Sequence, residues 1–126
     1  MKKIIFTDKA PAPIGPYSQA VVSGNILYTS GQIALHPQTG ELVTEDIETE
    51  TKQVMENMKA VLDAAGMTFE NVIKSTIFIS NMDDFAKING IYGAYFNEKT
   101  APARETVQVA KLPKNVNVEI SMIVAL

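Results

Sequence analysis

Two charged side chains lead the residues able to do chemistry. Arg104 follows Pro102-Ala103 at the mouth of a β-prone run, where a guanidinium can reach a cleft, although the position equally suits an exposed ion pair. Glu119 stands between Val118 and Ile120 in an alternating run with no other charge, and a carboxylate so placed needs a partner or a task. Tyr17 follows the rigid Ile14-Gly15-Pro16 corner, which can hold a phenol in a site or simply pack it. Asn89 comes one helical turn after Phe85 and reads first as a boundary residue. The single histidine, His36, sits in a turn beside Pro37, far from any arrangement that would make it a general base. That argues against serine-histidine hydrolysis and against the usual histidine-bearing zinc sites. With no cysteine, the chain has no disulfide, thiolate nucleophile or cysteine-based metal site. The glycines at 15, 24, 31, 40, 66, 90 and 93 never take the spacing of a dinucleotide fingerprint or a phosphate loop.

The elements that must position these residues belong to a chain of 126 residues, 46% hydrophobic and 20% charged, which fits one domain spanning 1–126. Its net charge of −3 comes from 14 acidic and 11 basic residues with no basic run to track a phosphate backbone, so nucleic acid is a poor partner. Thr7, Asp8 and Lys9 end the opening apolar stretch well short of a signal-peptide core, and no segment approaches membrane-spanning length. A soluble cytoplasmic protein with no membrane partner is the expectation.

A short strand over 4–7 leads into Ala10-Pro11-Ala12-Pro13-Ile14-Gly15-Pro16, a fixed extended loop. Val21-Val22 and Ile26-Leu27-Tyr28 flank Ser23-Gly24-Asn25 and predict a hairpin. Asp46 is placed to cap a helix whose apolar stripe is Ile47, Val54, Met58, Val61, Leu62 and Ala65, with Gly66 at its left-handed end. The β-branched run 72–79 predicts a strand. Asn81 then offers an N-cap to a second helix carrying Phe85, Ile88, Tyr92, Tyr95 and Phe96, weakened at Gly90 and Gly93. Residues 106–110 and 116–126, separated by Lys111-Leu112-Pro113-Lys114-Asn115, predict a closing hairpin. The order implies an α+β fold, a two-layer sandwich with both helices on one face of a mixed sheet. In the last run Val116, Val118, Ile120, Met122, Val124 and Leu126 suit the helical layer. Asn117, Glu119, Ser121, Ile123 and Ala125 are small or mixed, with Glu119 their one charge, unlike the lysine- and glutamate-rich face of a sheet left in water. A partner subunit covering that face is the expectation.

Three blocks together resemble the RidA/YjgF family over essentially the whole chain: Ala10 to Ala20 with Pro11, Pro13, Gly15, Pro16, Tyr17 and Gln19; Tyr28-Thr29-Ser30-Gly31-Gln32-Ile33; and Pro102-Ala103-Arg104 continuing through Val109-Ala110-Lys111-Leu112-Pro113 to Val118-Glu119-Ile120. The resemblance implies a homotrimer with the chorismate-mutase-like fold and sites between subunits. It implies hydrolysis of 2-imino acids such as 2-iminopropanoate and 2-iminobutanoate to 2-keto acids and ammonia, without metal or organic cofactor. Arg104 would clamp the substrate carboxylate and Glu119 would hold or activate the attacking water. Tyr17, Ser30 and Asn89 would line the pocket, with Gly31 and Thr106 offering backbone contacts. The chain departs from the commonest pattern in having Glu105-Thr106 after the arginine, which bears on substrate preference. A trimer that senses keto acids without catalysis would use the same Arg104 and have no need of Glu119.

Overall fold

Asp46 opens the long helix as its sequence position requires. In the computed structural model, which describes residues 1–126, its carboxylate accepts from the Thr49 amide at 2.7 Å and the Thr49 hydroxyl at 3.0 Å. These bonds satisfy a free amide at the start of helix α1 (Ile47–Ala64) and hold the Asp46 carboxyl below its ordinary pKa. Gly66, at φ 72°, takes the left-handed conformation past its end. Helix α2 (Phe85–Gly93) lies beside α1.

The sheet has the order β1 (Lys3–Ile5), β2 (Ala20–Ser23), β3 (Ile26–Thr29), β6 (Val118–Ala125), β4 (Val72–Ile79), β5 (Ala103–Gln108). All neighbours are antiparallel except β4 and β5. One face is buried under the helices: Leu27, Ile77, Ile79, Val118, Ile120 and Val124 pack against Val54, Met55, Met58 and Leu62 of α1 and Ile88 and Tyr92 of α2. The expected α+β sandwich with two helices on one face of a mixed sheet is what forms. The other face carries the cross-strand row Ile4, Val21, Tyr28 and Ile123, with Ile4 and Tyr28 about half exposed. No helix is long and apolar enough to cross a membrane.

Five expectations need correction. The last two strands do not form a hairpin: β5 runs parallel to β4 at the sheet edge, and β6 lies between β3 and β4. Since α2 carries the chain from β4 back to the start of β5, that connection makes a βαβ unit, whose strands must be parallel. The fully alternating β6 takes an inner slot, while the largely exposed β5 suits an edge. The turn before β6, with Lys114 and Asn115 at φ 55° and 57°, therefore crosses between non-neighbouring strands. Val116 and Leu126 leave the helix-facing stripe: Val116 joins Ile33, Leu35 and Leu112 in a small separate core beside Phe78, and Leu126 is 70% exposed. Helix α2 ends at Gly93, so Tyr95 and Phe96 lie beyond it, their rings 5.2 and 5.4 Å from Phe69. Asn81 caps the short 3₁₀ turn before α2 instead of α2 itself, and the first strand stops at Ile5 because the Thr7 amide bonds Gln19.

Candidate active site

All but one of the sequence-expected site residues fall into two clefts. The first, of about 370 Å³, is lined by Tyr17, Ser30, Gly31 and Glu119, with the proline loop as one wall. Gln19 holds that loop: its buried amide donates to the carbonyls of Thr7 and Pro11, each at 2.9 Å, and accepts from the Thr7 amide at 2.7 Å. Ser30 donates to the Ser18 carbonyl at 2.6 Å and so fixes the segment after Tyr17, whose phenol oxygen accepts from the Ile14 amide at 3.3 Å. Glu119 projects from β6 against Gly31, where an added Cβ would lie 2.8 Å from the Glu119 carboxyl carbon. Only glycine leaves room for the carboxylate there. Burial raises the Glu119 pKa above its ordinary value.

The start of β6 is anchored by Glu50, a residue that sequence reasoning missed. Its fully buried carboxylate accepts from the Asn117 amide at 2.7 Å, the Asn117 side chain at 2.8 Å and the Val118 amide at 3.3 Å. Those three bonds satisfy the carboxylate and fix the backbone leading to Glu119. The signal was present: Glu50 follows Ile47 by three and precedes Val54 by four, which puts a carboxylate on the buried stripe.

The second cleft, of about 750 Å³, is lined by Asn89, Tyr92, Phe96, Glu98, Pro102 and Arg104. Arg104 donates from Nη1 to the Asn89 side-chain oxygen at 2.6 Å, so Asn89 is first a partner of the arginine. The only ion pair in the chain is Lys74–Glu105 at 3.0 Å, leaving Arg104 without a carboxylate. Glu105 points to the open face, away from Arg104, as strand alternation requires. Thr106 shares the Arg104 face but lines neither cleft, and its buried hydroxyl has no partner. His36 is a turn residue, its Nδ1 accepting from the amides of Gln38 and Thr39.

The two clefts do not meet within the chain. Arg104 pairs in register with Ser75 on the helix-covered face, whereas Glu119 pairs with Phe78 on the opposite face. Strand β4 separates them, so their backbones lie about 10 Å apart across the sheet and about 10 Å apart along it. Arg104 also stands on an edge strand, one side of which pairs with nothing.

Residues 7–126 match the model of the family described as Endoribonuclease L-PSP. A 2-iminobutanoate/2-iminopropanoate deaminase of Escherichia coli K12 is 46% identical over 125 residues, covering 98% of this chain and 97% of its own. Among solved structures, a protein of the Rid family from Yersinia pestis is similar with a TM-score of 0.97 at 48% identity over the whole of both chains. Escherichia coli TdcF with bound serine is similar with a TM-score of 0.92 at 46% identity over 98% of each.

Proposed function

The chain belongs to the RidA/YjgF family, and from that premise we propose that it hydrolyses small 2-imino acids to 2-keto acids and ammonia in a cleft shared by two copies of a homotrimer. The observation that carries the reading is the placement of an unneutralised Arg104 and an isolated Glu119 on opposite faces of one sheet. An imino acid the size of propanoate cannot reach both in one chain. It can reach both if the edge strand of one copy lies against the open face of the next, the arrangement that would also cover Ile4, Tyr28 and Ile123. The deaminase named among the relatives supports the chemistry, and the serine bound to TdcF supports recognition of a small molecule bearing a carboxylate beside a nitrogen-substituted carbon.

In this account Arg104 binds the substrate carboxylate through paired hydrogen bonds, which fixes the imine carbon. Glu119 of the neighbouring copy takes a proton from a water as its oxygen bonds to that carbon, and the C=N double bond becomes single. Glu119 then returns the proton to nitrogen. For the protonated imine, ammonia then leaves with the C–N bonding pair as the hydroxyl proton passes to the Glu119 carboxylate and the keto C=O forms. Tyr17 and Ser30 shape the cleft, and the Gly31 and Thr106 backbones offer contacts to substrate. The net charge of −3, and clefts lined by no histidine, favour this chemistry over the RNA cleavage in the family's description.

The test is keto acid release from freshly generated 2-iminopropanoate with and without protein, beside sedimentation equilibrium at micromolar concentration. Accelerated release by a species of three chains is the expected outcome. Binding of keto acid without acceleration would replace the deaminase with a sensing trimer, and a one-chain mass would remove the shared cleft.

A further inference from the structure

Arg104 lies between two aromatic rings of α2, its guanidinium carbon 5.2 Å from the centroid of Tyr92 and 5.6 Å from that of Phe85. Both distances fall within the range at which a ring quadrupole attracts a cation. The Tyr92 hydroxyl donates at 2.8 Å to the hydroxyl of buried Ser75, the residue directly beside Arg104 in the sheet. Phe96 packs against the Tyr92 ring at 4.7 Å. The ring is thus tied to the strand that flanks the arginine, and Asn89 occupies one Nη1 hydrogen. The Nε–Nη2 edge makes no bond to the chain, and this edge is one of the two from which a guanidinium offers parallel hydrogen bonds to a carboxylate.

We infer that Tyr92, aided by Phe85, is a positioning residue that aims the free edge of Arg104 and thereby sets the preference for carboxylated imines. The inference rests on the imine-hydrolysis reading and deepens it. A guanidinium on a four-bond stem has many rotamers, and rings on two sides restrict them before substrate arrives, so the arginine is ordered in advance of binding. The Ser75 anchor matters less than the ring itself, because Phe96 and the core also hold the ring in place.

The experiment compares kcat/KM on 2-iminopropanoate with that on the imine of acetone, which lacks the carboxylate, for wild type, Tyr92→Leu, Phe85→Leu, Tyr92→Phe and Arg104→Lys. Both leucine variants are expected to lose about three- to thirtyfold on 2-iminopropanoate, mainly through KM, and less than about twofold on acetone imine. Tyr92→Phe keeps the ring and is expected to keep the wild-type ratio of the two rates. Because Tyr92 is buried and its leucine variant can misfold, the half-buried Phe85 decides the matter if Tyr92→Leu does not assemble. Equal proportional losses on both imines, or an unchanged ratio in the folded leucine variants, would overturn the positioning role. A ratio that collapses in Arg104→Lys but survives in the leucine variants rejects this inference alone, whereas a ratio unchanged in Arg104→Lys rejects the carboxylate clamp beneath it.

Discussion

Arg104→Lys is expected to lower kcat/KM on 2-iminopropanoate by about thirtyfold to several thousandfold, with Arg104→Ala at the upper end. Lysine keeps the positive charge but has no planar fork, so one of two parallel hydrogen bonds disappears together with the alignment they enforce. Arg104 is exposed in the single chain, and once a neighbouring copy and substrate exclude water from it, losing such a charge partner typically costs about 2 to 5 kcal/mol. The structure shows no other cation in the cleft to take over, since Lys74 is engaged with Glu105 on the opposite face. Initial rates check the expectation once each variant is shown to assemble. An imine without a carboxylate never uses the clamp and should lose little from either change. Equal losses on both substrates would mean that Arg104 serves the fold or the water.

Glu119→Gln is expected to slow turnover at least about tenfold, and up to about ten-thousandfold if Glu119 moves protons in both halves of the reaction. Keto acid binding should persist, because the arginine cleft is untouched. Stability should move the opposite way. Burial raises the Glu119 pKa above the ordinary 4.5, so the folded chain binds this proton more tightly than the unfolded chain. The resulting stabilisation is full below the unfolded pKa and is lost as pH rises through the folded value, so at neutral pH the ionised group opposes folding. Glutamine relieves that penalty, and its melting temperature at pH 7 should equal or exceed wild type. The acid limb of kcat/KM in the wild type should lie above pH 4.5, because the carboxylate must be ionised to accept a proton. Unchanged turnover would move the water-activating role elsewhere, and a large fall in melting temperature would make Glu119 a structural residue.

Much of this arrangement is legible in the chain because local chemistry decides it. The Asp46 cap, the Gly66 stop and the alternation of β6 each follow from interactions among near neighbours, and the structure has them as expected. The same alternation put Glu119 on the face opposite the helices. Strand order is different, since it depends on which distant segments meet. Lys111–Asn115 has the composition of a hairpin turn, yet the α2 crossover commits β5 to β4 and leaves the inner slot to β6. A glutamate near a helix start ordinarily faces water, and although spacing puts Glu50 on the buried stripe, its partners Asn117 and Val118 lie far along the chain. The aromatic cradle of Arg104 was equally hidden. Phe85 and Tyr92 read as a core stripe, and sequence spacing does not say that an edge-strand arginine reaches over them.

In the proposed shared site, one substrate is held by Arg104 of one copy and attacked through Glu119 of another. Mixing tests it directly. Arg104→Ala and Glu119→Gln, each nearly inactive alone, are unfolded and refolded together in equal amounts so that subunits exchange at random. If the site is shared, about a quarter of the clefts in the mixed population receive both native side chains, and 2-iminopropanoate hydrolysis returns to about a quarter of the wild-type rate. If the mixture assembles and exchanges subunits but stays as inactive as its components, the two residues act within one chain or not together, and the shared cleft is wrong.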